Sequence, residues 1–247
     1  RNDVAVIASS SQSIIGVAAG IAGGTVGVGG AVGVFVLDLH TYASIGAGAD
    51  VEAGNNLPVA ATDEAKVLFV AGGLRGGTVR IGMSVGVLTI EKDTRAFVSA
   101  GAVIAGKALN AGTLPGGVHG ISVHAESAED IFGLAISAGA GYVGVAGAVS
   151  VAILTATTWA SIGDGSLVNL APGAGADQDV SVTALSRTET FTLAGGLGAG
   201  FVGVGGAVDI GVLRTDTQAW IGDGSTVHAS DDVTVSARAE KEIFTIA

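Results

Sequence analysis

Few side chains in this 247-residue sequence are suited to ligate, bind or react. The four histidines, His40, His119, His124 and His228, share no metal-ligand spacing on one element; His119 and His124, which flank the long insertion, are the only pair worth naming and read as solvent-exposed loop residues. No G-x-S-x-G elbow, H-E-x-x-H pair or phosphate loop is present. Glycine strings such as GGLGAG (195–200) recur in every unit and lead into a strand, so they read as packing. The sequence therefore does not read as an enzyme. Asp164 and Asp223 sit in G-D-G-S turns, the kind of place where calcium-dependent β-rolls hold their ion. The nonapeptide G-G-x-G-x-D is missing, however, and Asp-Gly is also ordinary turn chemistry. No cofactor is expected, and calcium is the single candidate. Four aromatics, Tyr42, Phe97, Trp159 and Trp220, fall on one face of a recurring strand beside Ser44, Arg95, Ser161 and Gln218. Aromatics next to polar groups suit a sugar or a protein partner. The competing reading is that they close gaps between units or cover a glycine-rich face.

What positions these residues is a repeat. Ala8, Ala61, Ala125 and Ala184 each close a short alternating run, and 18 residues later comes a glycine–valine block led by Val26, Val79, Val143 and Val202. A threonine follows 15 residues after each leading valine: Thr41, Thr94, Thr158 and Thr217. Constant spacing of this kind is what a stacked repeat requires, because every unit must offer the same strand to its neighbour in register. The glycine–valine blocks have period two. Val26, Val28, Val32, Val34 and Val36 share one face; Gly27, Gly29, Ala31 and Gly33 share the other. A face bared by glycine lets another backbone approach, so both faces are expected to be covered, as in a multilayered sheet. Polar triplets such as Asp38-Leu39-His40 and Glu91-Lys92-Asp93 read as a solvent-facing corner between strands, and the polar patches near Asp63-Glu64 and Glu129-Asp130 allow a helical turn or two.

The result is an all-β β-solenoid of four repeats of about 53–64 residues, with a multilayered solenoid or a β-roll with short helical turns as the alternative. The whole of 1–247 reads as one array: repeats at about 4–56, 57–120, 121–179 and 180–232, then a partial unit over 233–247. Because it starts and stops partway through a unit, it reads as a stretch of a longer array, whose continuation is then its nearest partner. Length variation is confined to one connection, which stretches through GKALNAGTLPGGVHG (106–120) in the second copy.

A net charge of −11 offers no basic stripe to nucleic acid. With no cysteine there is neither a disulfide scaffold nor a thiolate metal site. Residues 14–37 and 131–163 carry no charge, which raises the alternative of a membrane-embedded or pore-forming segment. Three features argue against membrane embedding by helices: the period is two; Arg75, Arg80 and Asp209 lie in the blocks; and glycine is a poor helix former. A β-barrel lacks its polar lumen pattern.

The blocks VGVGGAVGV (26–34), VGVAGAVSV (143–151) and VGVGGAVDI (202–210), with TYASIG, TTWASIG and TQAWIG, resemble the glycine-rich repeat regions of giant secreted bacterial adhesins of the filamentous-haemagglutinin-like group. The resemblance implies a right-handed parallel β-helix, a secreted or bacterial cell-surface location, and a role in attachment or biofilm. Its expected function is a stiff structural segment that presents loops and the aromatic stripe, with a host or cell-surface glycan or protein as partner. The alternatives are the membrane-embedded segment and a carbohydrate-binding or carbohydrate-active β-helix.

Overall fold

The computed structural model describes residues 3–110 and 112–247, and Ala111, inside the long connection, lies outside the described residues. Alternation of apolar or small residues with polar ones favours extended chain, and the chain is almost wholly strand. The first coil runs out along β1 (Val6–Gly23), reverses at Gly24-Thr25, returns along β2 (Val26–Ile45) and closes through a short β3 (Asp50–Ala53). The second coil repeats this as β4 (Leu57–Gly76), β5 (Val79–Val98) and β6 (Val103–Gly106). The third is β7 (Gly120–Ala140), β8 (Val143–Ile162) and β9 (Leu167–Val168); the fourth is β10 (Asp179–Ala199), β11 (Val202–Ile221) and β12 (Thr226–Val227). β13 (Val233–Ile246) begins a fifth.

Stacking the coils makes three parallel sheets: β1-β4-β7-β10-β13, β2-β5-β8-β11 and β3-β6-β9-β12. The chain is a parallel β-solenoid with one coil per repeat. Pairing is in register, so Ala8, Ala61, Ala125, Ala184 and Ala237 form one column and Thr41, Thr94, Thr158 and Thr217 another. Each repeat advances the stack by one strand spacing, about 4.8 Å, yet spreads roughly 65 Å across it, because its strands reach about 20 residues. The array is therefore broad for its rise.

The cross-section is a wedge. At the wide end, closed by the short third sheet, Ile45, Val59, Val98, Ile104, Val123, Ile162 and Val182 build one core cluster. Midway along, Leu37, Val67, Phe69, Leu88, Ile90, Ile131 and Leu154 build a second. Beyond it the two long sheets close on each other through glycine and alanine. A β-carbon on Gly20 would lie 2.7 Å from the Gly30 carbonyl oxygen, so only a bare residue fits there.

Three expectations change. The polar triplets are not a corner, because β2, β5, β8 and β11 run straight through them and Lys92 points inward, fully buried. The polar patches form no helical turn: Asp63-Glu64 and Glu129-Asp130 lie inside β4 and β7, and the one helical segment among the described residues is a 3-10 turn at Pro115–Gly117. The two faces of the glycine–valine blocks are not both covered, since the glycine face packs inward while Val26, Val28, Val32, Val34 and Val36 remain exposed. Sheets this close need bare residues between them, and that forces the valines out.

The turn after each return strand places glycine in the left-handed region at equivalent sites, Gly48, Gly101, Gly165 and Gly224, with φ of 64°, 69°, 65° and 68°. The long connection of the second coil is tied to its neighbours by buried amides. Asn56 donates to the Gly112 carbonyl and accepts the Gly120 N–H, Asn55 accepts from the Asn110 N–H, and Gln178 donates to the Gly106 carbonyl.

Candidate functional site

On the outer face at the wide end, register brings Tyr42, Arg95, Trp159 and Gln218 into one column and Ser44, Phe97, Ser161 and Trp220 into the column beside it. All four sequence-predicted aromatics thus share one surface. Trp159 and Trp220 meet edge to face with centroids 5.8 Å apart. The Arg95 guanidinium lies 4.3 Å from the Trp159 ring centroid and 5.8 Å from that of Tyr42. Arg95, Phe97, Trp159, Ser161 and Trp220 line a shallow cavity of about 220 Å³. The stripe does not cover the glycine-rich region, which lies at the opposite end of the strands. Arg95 bridges Tyr42 and Trp159 from coil to coil, and a half-open aromatic wall with polar edges can take the apolar face of a sugar ring or a flat side chain.

A hydrogen-bond chain stiffens its upper end. Tyr42 donates its hydroxyl proton to Asp93 Oδ2 at 2.5 Å, and Arg95 Nε lies 2.6 Å from Asp93 Oδ1. Partial burial, then the bond to Asp93, raises the Tyr42 phenol above its ordinary value of 10.0. A raised folded-state value means that this contribution to stability is present below about pH 10 and is lost as pH rises through the folded value. Asp93→Asn removes the negative charge while keeping an acceptor, so Tyr42 is expected to titrate at lower pH than in the parent. Absorbance titration of the phenolate, with Tyr142→Phe in both backgrounds so that Tyr42 alone is read, checks this; an unmoved Tyr42 curve refutes it.

The other predicted residues are placed differently. Asp164 accepts the Asp223 backbone N–H at 3.0 Å, so the Asp164 carboxylate caps the turn of the next coil. No group of three potential metal ligands assembles among the described residues. His119 donates its backbone N–H to Asp179 Oδ2 at 2.9 Å, while the His124 ring sits 2.8 Å from Thr183 Oγ1, so the two serve separate neighbours. His124 also lines a groove on the first sheet beneath the long connection, together with Pro115, Glu126, Arg187 and Arg238. Only the length of that connection hinted at this groove.

Sequence reasoning also missed a sealed ion cluster. Lys92 Nζ lies 2.7 Å from Asp63 Oδ1 and 3.0 Å from Glu129 Oε1, with all three side chains at most 1% exposed. Thr41 donates to Asp63 at 2.7 Å, and Ser127 and Thr188 donate to Glu129 at 2.5 Å and 2.7 Å. The available signal was phase: Asp63, Lys92 and Glu129 all sit on the inward beat of their strands.

Comparison with family models, with curated proteins and with solved structures finds no match to this chain.

Proposed function

We propose that the chain is a structural segment of a secreted or bacterial cell-surface adhesin. It would act as a stiff array that presents the aromatic stripe, and the loops at the wide end, for attachment to a glycan or protein. The observation that carries this reading is the unbroken register. β4 and β7 in one sheet, and β5 and β8 in the other, are paired on both sides along their length, and β10 is so paired up to Leu193. Such a double ladder resists bending and holds surface columns at fixed spacing. A non-enzymatic role is supported by where the coupled ionisable groups lie: the Asp63–Lys92–Glu129 cluster is closed to any substrate.

The test is a glycan array probed with the parent chain and with Trp159→Ala and Trp220→Ala. Selective glycan binding by the parent, weakened tenfold or more in the variants, is expected from loss of a central aromatic anchor, worth about 2 kcal/mol. No binding by the parent, or equal binding by both variants, removes the stripe from the function.

A further inference from the structure

The narrow half of the wedge is built inside out. Between the sheets lie Gly16, Ala18, Gly20 and Ala22 against Gly27, Gly29, Ala31 and Gly33, whereas the large apolar side chains point away from the molecule. Outward positions of the first sheet here are Ile15, Val17, Ala19 and Ile21, then Leu68, Val70, Gly72 and Leu74, and likewise in later coils. On the second sheet the outward rows run from Val26, Val79, Val143 and Val202 to Val36, Thr89, Ile153 and Val212, with Thr89 the one polar side chain. Exposure is high even in the second coil, which has a neighbour on both sides: Leu74 is 65% exposed, Met83 57% and Ile81 51%.

We infer that this blade is a lipid-inserting element, and that its partner is the hydrocarbon of a bilayer. Four observations select lipid over a protein partner. First, both faces are apolar together and the rim carries no charge, only Thr25, Thr78, Tyr142 and Phe201 beside glycine, so a second copy packed on one face would leave the other in water. Second, the switch from apolar to polar falls at one level on two independent sheets. On the first it lies between Ser13, Lys66, Asp130, Glu189 and the next outward row, Ile15, Leu68, Phe132, Phe191. On the second it lies between Val36, Thr89, Ile153, Val212 and Asp38, Glu91, Thr155, Arg214. The inward residues at these two borders, Ile14 and Leu37, belong to one cluster, which fixes the levels as equal. Third, nine to eleven residues from border to rim span about 30 Å, the thickness of the hydrocarbon core. Fourth, between neighbouring coils the backbone is satisfied even at the rim, and in the two long sheets only the outer edges of the end strands β1, β2, β11 and β13, and of β10 beyond Leu193, have no partner strand among the described residues. Gly24 N–H donates to the Gly76 carbonyl at 3.2 Å, Val143 N–H to that of Thr78 at 3.0 Å, and Val202 N–H to that of Tyr142 at 3.0 Å, as a lipid-immersed sheet requires.

Aromatics mark both limits, a stack of Phe132, Phe191 and Phe244 at the border and stacked Tyr142 and Phe201 at the rim. The charges that counted against a membrane in the sequence are turned inward. Arg75 is 5% exposed and donates to Ser137, and Arg80 is 8% exposed and donates to the Arg75 carbonyl.

The test uses flotation with phosphatidylcholine vesicles, a zwitterionic surface that does not repel a chain of net charge −11. The parent is expected to float with the vesicles. The double variant Ile136→Glu/Val145→Glu, outward on opposite faces, is expected to lose at least about tenfold of the bound fraction while keeping its strand circular dichroism. A separate Val149→Trp variant, outward on β8 and about midway between border and rim, is expected to gain fluorescence that lipids brominated deep in the acyl chain quench, with Trp159 and Trp220 unquenched. A parent that stays with the dense fraction overturns the proposal, as does a double variant that floats equally. A vesicle-bound Val149→Trp variant whose added fluorescence deep bromines do not quench also overturns it, and this readout decides the matter should the double variant fail to fold. A discrete oligomer in lipid-free buffer, dispersed by the double variant and unaccompanied by vesicle binding, overturns it in favour of a second copy. The inference does not rest on the glycan reading, since Trp159→Ala and Trp220→Ala should leave flotation unchanged.

Discussion

Replacing Lys92 with methionine is expected to destabilise the chain by about 3–5 kcal/mol, because it strips the one cation from two buried carboxylates. Methionine fills much of the volume, so the loss is electrostatic rather than a cavity. Lys92 also donates to the backbone carbonyls of Asp63 at 3.3 Å and Ala128 at 3.2 Å, which lose their partner as well. The cluster draws on four successive coils: Thr41 in the first, Asp63 and Lys92 in the second, Ser127 and Glu129 in the third, Thr188 in the fourth. The damage is therefore shared across the stack. Desolvating three charges is costly in itself, so the cluster as a whole adds little net stability. The triple variant Asp63→Ser/Lys92→Leu/Glu129→Ala uses residue types that other coils already place in those columns, and it should recover most of the loss. Urea denaturation followed by circular dichroism measures both. An unchanged midpoint for Lys92→Met, or a triple variant as weak as the single one, would show that the cluster is not electrostatically closed.

The second large effect is a pair of glycine substitutions with opposite sign. A β-carbon at Gly198 would overlap the carbonyl oxygens of Val204 and Gly144 and approach the Val204 nitrogen at 2.7 Å. All three are backbone atoms that cannot rotate away. Gly198→Ala must push the sheets apart where the blade is thinnest, at a cost of about 1–3 kcal/mol or more. At Gly147, on the outward beat of β8, a β-carbon meets nothing within 4 Å. Gly147→Ala there restricts the unfolded chain without strain and is expected to stabilise by about 0.4–1 kcal/mol. Thermal midpoints of the two variants should thus fall on opposite sides of the parent. Equal shifts would mean that the two sheets are not in close contact at Gly198.

Much of this was legible beforehand. The columns Ala8–Ala61–Ala125–Ala184 and Thr41–Thr94–Thr158–Thr217 follow from spacing alone, because a solenoid can absorb length changes in loops but not in its rungs. The joint placement of Tyr42, Phe97, Trp159 and Trp220 was legible for the same reason, since residues at the same beat of stacked strands must share a face. The contacts were not: that Arg95 lies over Trp159, or that Asp93 holds both Tyr42 and Arg95, depends on rotamers set by neighbouring coils.

Sequence by itself determined the period, the register and the membership of each face. Only the tertiary structure decided which face is inside. Alternation of valine with glycine defines two faces but attaches no sign to them, because both are apolar and neither is marked for water. The sign comes from the second sheet, which approaches so closely that only hydrogens fit between, so glycine goes in and valine goes out. The same choice carries Lys92, Arg75 and Arg80 inward, against what their charge suggests. Each strand has one fixed beat, and in a stack locked by its backbone ladder a single side chain cannot change it.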